Sequence, residues 1–207
     1  MAEPGSIRAF AAIPVAPDLK AEILRLQERL QRLFRKNPVR WVRGEQLHLT
    51  LKFYGNVDST QVASLTAALR MACEGVRPFE LSITGSGCFP SFQRPNVVWL
   101  GLTGDLPVLE QLQIRIEQQT KDFGRQSDNR SFHPHLTLGR IKAGPSAARE
   151  VGRVIQEAGI GEIGRWKVGE FELIQSTLSP RGISYQEVEC FVLCGAVQNL
   201  LTRNGSP

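Results

Sequence analysis

Leu47-His48-Leu49-Thr50-Leu51-Lys52-Phe53 and Pro134-His135-Leu136-Thr137-Leu138-Gly139-Arg140 share the tetrapeptide His-Leu-Thr-Leu. Each stretch alternates apolar and polar residues and so reads as a β-strand. Side chains two apart on a strand point to one face, about 6.6 Å apart along it. Each copy therefore presents one imidazole and one hydroxyl on one face and a pair of leucines on the other. A single His-x-Thr on a strand is explained by a solvated polar face. Two identical copies are harder to explain that way, because the chain holds only three histidines and two of them fall in the repeat. Packing needs the leucines twice; it does not need His and Thr twice.

Working outward, Ile7 to Val15 is an apolar run that predicts a buried strand. Asp18 reads as an N-cap, and Leu19, Ile23, Leu26, Leu30 and Leu33 recur at helical spacing after it. Val62, Leu65, Leu69 and Ala72 predict a second helix behind a cap at Asp58 or Ser59. Phe79 to Gly85 and Asn96 to Leu102 read as strands. A third helix opens at Pro107, with Leu109, Leu112 and Ile116 inward. A fourth follows Gly144-Pro145-Ser146, with Ala147, Val151, Val154, Ile155 and Ala158 inward. Trp166 to Gln175 and Ile183 to Val197 read as a long closing hairpin. Strands and helices mixed in this way predict an α+β fold of antiparallel sheet with outer helices. The His-Thr strands lie at similar places in two similar halves, so a pseudo-twofold pair of lobes would bring them together across a cleft. The expected organisation is a single bilobal domain over residues 1–198, with 199–207 as a frayed tail.

Composition narrows the class. The 207 residues are 42% hydrophobic and 22% charged, ordinary for a globular domain. No apolar run approaches the roughly 20 residues of a membrane span, and the N-terminus has no signal-peptide pattern. A net charge of +5 suits a polyanionic substrate without requiring one. Cys73, Cys88, Cys190 and Cys194 lack the partners of a zinc site, and reduced thiols in a cytoplasmic protein are expected.

If the four side chains converge, two imidazoles with pKa near 6.5 can hold opposite protonation states at neutral pH. One then gives a proton while the other takes one, and two hydroxyls donate to an anionic oxygen. No carboxylate repeats with the histidines, so a Ser-His-Asp scheme lacks its third member. In-line attack on a phosphodiester, without metal or cofactor, is the chemistry this set performs most economically.

The doubled His-x-Thr-Leu resembles the two-histidine (2H) phosphoesterases. The resemblance is to the bacterial RNA 2′,3′-cyclic phosphodiesterases of the LigT type, also called 2′-5′ RNA ligases. Arg8 to Ile13, Trp41-Val42, Gly87-Cys88-Phe89-Pro90, Val97 to Leu100 and Ser176 to Tyr185 resemble further parts of that family in the same order. The resemblance covers about residues 7–195. It implies a bilobal α+β fold with both motifs in a central cleft. The implied reaction opens a 2′,3′-cyclic phosphate at an RNA end to a 2′-phosphate. It further implies His48 as the acid to O3′, His135 as the base for water, and Thr50 and Thr137 as phosphate ligands. The expected partner is RNA with a 2′,3′-cyclic phosphate end or a nucleotide, with no membrane; nothing in the sequence suggests an obligate dimer, and a monomer is expected. The same residues also suit a small cyclic nucleotide or 2′-5′ oligonucleotide, or an RNA-end binding module without turnover. Arg140 matches an arginine ending the second motif. Strict alternation puts it opposite His135, so it reaches the cleft only if the strand bends or ends there; a surface ion pair is the other reading. Tyr185 lines the pocket or packs in the hairpin. His133 is structural or at the rim. The Phe89/Phe92/Arg94 loop could stack a base, packing being the commoner use. Lys52 is expected on the His48 face.

Overall fold

The computed structural model describes residues 5–124, 131–180 and 182–195. The tail expected beyond 198 lies outside them. Among the described residues, nine strands and four α-helices follow in the order β1 (Ser6–Pro14), α1 (Pro17–Gln31), β2 (Val39–Trp41), β3 (His48–Asp58), α2 (Val62–Cys73), β4 (Phe79–Phe89), β5 (Val97–Gly104), α3 (Leu106–Gln119), β6 (Leu136–Ile141), α4 (Pro145–Glu157), β7 (Glu162–Val168), β8 (Glu170–Ser179) and β9 (Gly182–Val192). The sheet runs β7-β4-β5-β6-β3-β1-β8-β9, with β2 beside β6, and its pairs are antiparallel. Among the described residues, no helix is long and apolar enough to cross a membrane.

Among the described residues, the two halves of the sheet pair where Leu49 of β3 meets Leu136 of β6. Each half is covered on one face by a helix that leaves a strand of the other half. α1 leaves β1 but packs on β7, while α3 leaves β5 but packs on β3 and α2. This crossing ties the halves together through covalent connections as well as through packing.

The apolar spacing decides each face. Leu19, Ile23, Leu26 and Leu30 of α1 are buried, as are Leu109, Leu112 and Ile116 of α3. Alternation along β1 sends Ala9, Ala11 and Ile13 into the main core and Phe10 and Ala12 to the opposite face. There Phe10 and Ala12 join Ile174 and Tyr185 in a smaller cluster.

Several expectations change. Asp18 sits inside the first turn of α1, where its charge suits the helix dipole, because Pro17 already occupies the helix start. Leu33 lies beyond the end of α1 and is exposed. The expected strand over Trp166 to Gln175 is two strands, interrupted at Gly169. Its first part, β7, pairs with β4 at one edge of the sheet; its second part, β8, pairs with β1 in the other half.

Candidate active site

Both His-Leu-Thr-Leu copies meet at the seam. Leu49 and Leu136 pair and are fully buried. Continuing that antiparallel register by one residue sets His48 opposite Thr137 and Thr50 opposite His135. The two histidines then occupy a diagonal, about 7–8 Å in an antiparallel lattice.

The copies continue to match beyond the sequence identity. His48 Nδ1 donates to Gln46 O at 2.8 Å, and His135 Nδ1 donates to His133 O at 2.7 Å. Each bond runs to the carbonyl two residues upstream. It fixes the neutral tautomer with Nε2 as the free lone pair. Each ring also rests on a phenylalanine: Phe10 at 4.8 Å from His48 and Phe89 at 4.9 Å from His135, centroid to centroid. Among the described residues, neither Nε2 atom nor the hydroxyls of Thr50 and Thr137 have a hydrogen-bond partner.

A β-bulge follows each copy at the same residue. Ala12 pairs with Thr50 and Ala11 with Lys52, so Leu51 is extra. Trp99 pairs with Thr137 and Val98 with Gly139, so Leu138 is extra. An extra residue reverses the alternation beyond it. Lys52 accordingly does not share the His48 face. It points into the core, where its Nζ lies 2.7 Å from Glu117 and donates to Thr120 O at 3.2 Å. Phe53, paired with Phe10, comes to the cleft face instead. In the other half the bulge turns Gly139 inward against Val39 and brings Arg140 to the His135 face. Arg140 is exposed and makes no ion pair among the described residues. Its charge is felt at both His135 and Tyr185.

Burial lowers the pKa of both imidazoles. His48 is pushed down to about 4, chiefly by desolvation, with the charges of His135 and Lys20 acting the same way and the Gln46 carbonyl opposing. His135 is also lowered, again by desolvation first and then by the charges of His133 and Arg140, against the His133 carbonyl. Tyr185 stands edge-on to His48 at 5.5 Å and to Phe10 at 5.1 Å. Its phenol is raised by burial against the pull of Arg140 and Arg8.

The structure thus brings His48, Thr50, His135, Thr137, Arg140 and Tyr185 to one face. Phe89 is engaged with His135, His133 and Trp99. Phe92 packs partly buried against the core, its carbonyl pressed on Gly152. The Phe89/Phe92 loop is therefore a support rather than an open platform. Trp99 lies across Gly87, where any Cβ would collide with its ring. Sequence reading missed Phe53 as a cleft residue, because only the bulge puts it there. Among the described residues no disulfide joins Cys73, Cys88, Cys190 or Cys194.

Known proteins share this architecture and sequence. The family model described as LigT like Phosphoesterase matches residues 13–99 and 103–185. An RNA 2′,3′-cyclic phosphodiesterase of Methanothermobacter thermautotrophicus is 34% identical over 90% of this chain and 99% of its own length. One of Archaeoglobus fulgidus is 30% identical over 89% and 99%. Among solved structures, a protein of Thermus thermophilus superposes with a TM-score of 0.70 at 26% identity, covering 90% of this chain and 98% of its own. E. coli LigT complexed with 3′-AMP has the same fold, with a TM-score of 0.72 at 24% identity and coverage of 91% and 98%. With both histidine copies inside the matched segments, the chain belongs to the LigT-like phosphoesterase family.

Proposed function

We infer that the chain is an RNA 2′,3′-cyclic phosphodiesterase in which His48 and His135 act as a general acid–base pair. The observation that carries the reading is the crossed arrangement at the β3–β6 seam: two Nε2 atoms on one diagonal and two unengaged hydroxyls on the other. The relatives named for this activity span nearly the whole chain. The cyclic phosphate sits between the histidines. His135 Nε2 takes a proton from water as its oxygen bonds to phosphorus. The P–O3′ bond breaks, and O3′ receives the proton held on His48 Nε2. A 2′-phosphate remains. The Thr50 and Thr137 hydroxyls donate to the non-bridging oxygens, and Arg140 neutralises the charge that builds there.

This division requires His48 to be protonated although burial holds it near 4 in the free protein. The phosphodiester anion supplies the correction, since an adjacent opposite charge favours the charged imidazole. His48 thus becomes a competent acid only when the substrate is in place. A 5′-hydroxyl replacing water on the same groups gives 2′-5′ ligation: His135 takes its proton, the O5′–P bond forms, the P–O3′ bond breaks and O3′ takes the proton from His48. Phe53, exposed on the cleft face with Arg8 4.9 Å over its ring, offers a surface on which the terminal base stacks. All these groups belong to one chain, which acts as a monomer. A cytoplasmic location belongs to the same reading, supported by an RNA substrate and by cysteines that form no disulfide among the described residues.

The test is a short RNA ending in a 2′,3′-cyclic phosphate, incubated with the protein in EDTA. The reading requires a 2′-phosphate product. A 3′-phosphate product means that the substrate lies the other way round. No reaction by folded protein favours a small cyclic nucleotide or a binding module.

A further inference from the structure

Each bulged leucine is held by a buried glutamine from the helix that crosses over from the other half. Gln27 of α1 donates through Nε2 to Leu138 O and to Val42 O, both at 3.0 Å. Gln113 of α3 donates to Leu51 O at 3.5 Å. Both side chains are almost fully buried, at 5% and 9% exposure. Their places correspond, since α1 precedes β3 in the chain as α3 precedes β6. Each therefore grips the opposite copy of the repeat. A buried amide among apolar helix residues costs free energy unless it is bonded, and each amide has one of its bonds at the residue where the alternation reverses, the others running from Gln27 to Val42 O and from Gln113 to Glu117 at 3.3 Å.

The grip on Leu138 is the stronger of the two. Leu138 O also accepts from Val42 N at 2.8 Å, so Gln27 ties two segments, the bulge of β6 and the chain leaving β2, to one amide. Without that tie the extra residue can be redistributed along β6. A one-residue shift in register moves a side chain to the other face, and the side chain that stands to move is Arg140.

We propose that Gln27 is a positioning residue that holds the Leu138 bulge and thereby keeps Arg140 on the phosphate side of the sheet, with Gln113 holding the Leu51 bulge in the same way. This rests on the reading of the cleft as a phosphodiesterase site in which Arg140 binds the phosphate.

The experiment is a double-mutant cycle of Gln27→Met and Arg140→Ala, with kcat, KM and Tm measured for hydrolysis of a short RNA ending in a 2′,3′-cyclic phosphate. Positioning predicts that Gln27→Met raises KM roughly fivefold to tenfold with kcat changed much less. It also predicts that the same substitution made on Arg140→Ala changes KM less than about twofold, because the residue it positions is already gone. A Gln27→Met protein with lowered Tm and wild-type KM overturns the proposal, and so does an effect that multiplies fully with that of Arg140→Ala. If Gln27→Met does not fold, Gln27→Asn keeps the amide at shorter reach and carries the same cycle. An Arg140→Ala protein with unchanged KM removes Arg140 from the site and the proposal with it. Inactivity of the wild type removes the phosphodiesterase reading itself, so the two failures are told apart.

Discussion

The surroundings of His48 and His135 diverge although the scaffold beneath them repeats. Both have the same tetrapeptide, the same Nδ1 bond to a carbonyl two residues back, a phenylalanine under the ring and a bulge at the second leucine. The difference begins five residues after each histidine. There the bulges deliver Phe53 in one half and Arg140 in the other to the cleft face. His48 is enclosed between Phe10 and Tyr185, whereas His135 has His133 and Arg140 for company. A duplicated frame can aim two equivalent nitrogens at one phosphorus. It cannot by itself distinguish the attacking side from the leaving side. In the proposed mechanism that distinction comes from the residues that broke the repeat.

The largest effect expected is the loss of either histidine. His48→Ala and His135→Ala each lower kcat by about 10²–10⁴-fold while the protein stays folded. Near wild-type turnover in one of them would break the equivalence of the halves. Acid stability sharpens the contrast. His48 is held near 4 in the folded protein against 6.5 when exposed, so the unfolded chain takes up its proton first as pH falls. Stability is fully present above about 6.5 and is lost down to about 4, by about 3 kcal/mol from this group. Denaturant unfolding of His48→Gln should show that much less acid sensitivity than wild type, and a wild-type pH dependence would refute it. Next comes Arg140→Ala, which should raise KM about tenfold to a hundredfold for any cyclic phosphate, with or without a base. Phe53→Ala should have the smaller effect, about tenfold, and only on substrates that carry a base. A base-free ribose 2,3-cyclic phosphate separates the two; equal losses on it would place Phe53 in a structural role.

Much of this was legible in the residues. The repeat marked both strands, helical spacing marked all four helices, and the resemblance gave the fold. What alternation could not supply was the bulges. Leu51 and Leu138 look like ordinary inward leucines, yet each adds a residue that sends Lys52 to Glu117 in the core and frees Phe53 and Arg140 for the cleft. Gln27 and Gln113 look like polar residues at a helix margin, and their buried bonds form only because α1 and α3 cross between halves. Gly169 divides an apolar run whose parts belong to opposite halves, a fact of topology that local propensity does not carry.

The central claim is that two matched histidines do opposite jobs. The most direct measurement is the pH dependence of kcat/KM on a short RNA 2′,3′-cyclic phosphate in EDTA, for wild type and for the residual activities of His48→Ala and His135→Ala. The account predicts a bell for wild type, loss of the alkaline limb in His48→Ala and loss of the acid limb in His135→Ala. Loss of the same limb in both variants, or a bell retained in either, would contradict it.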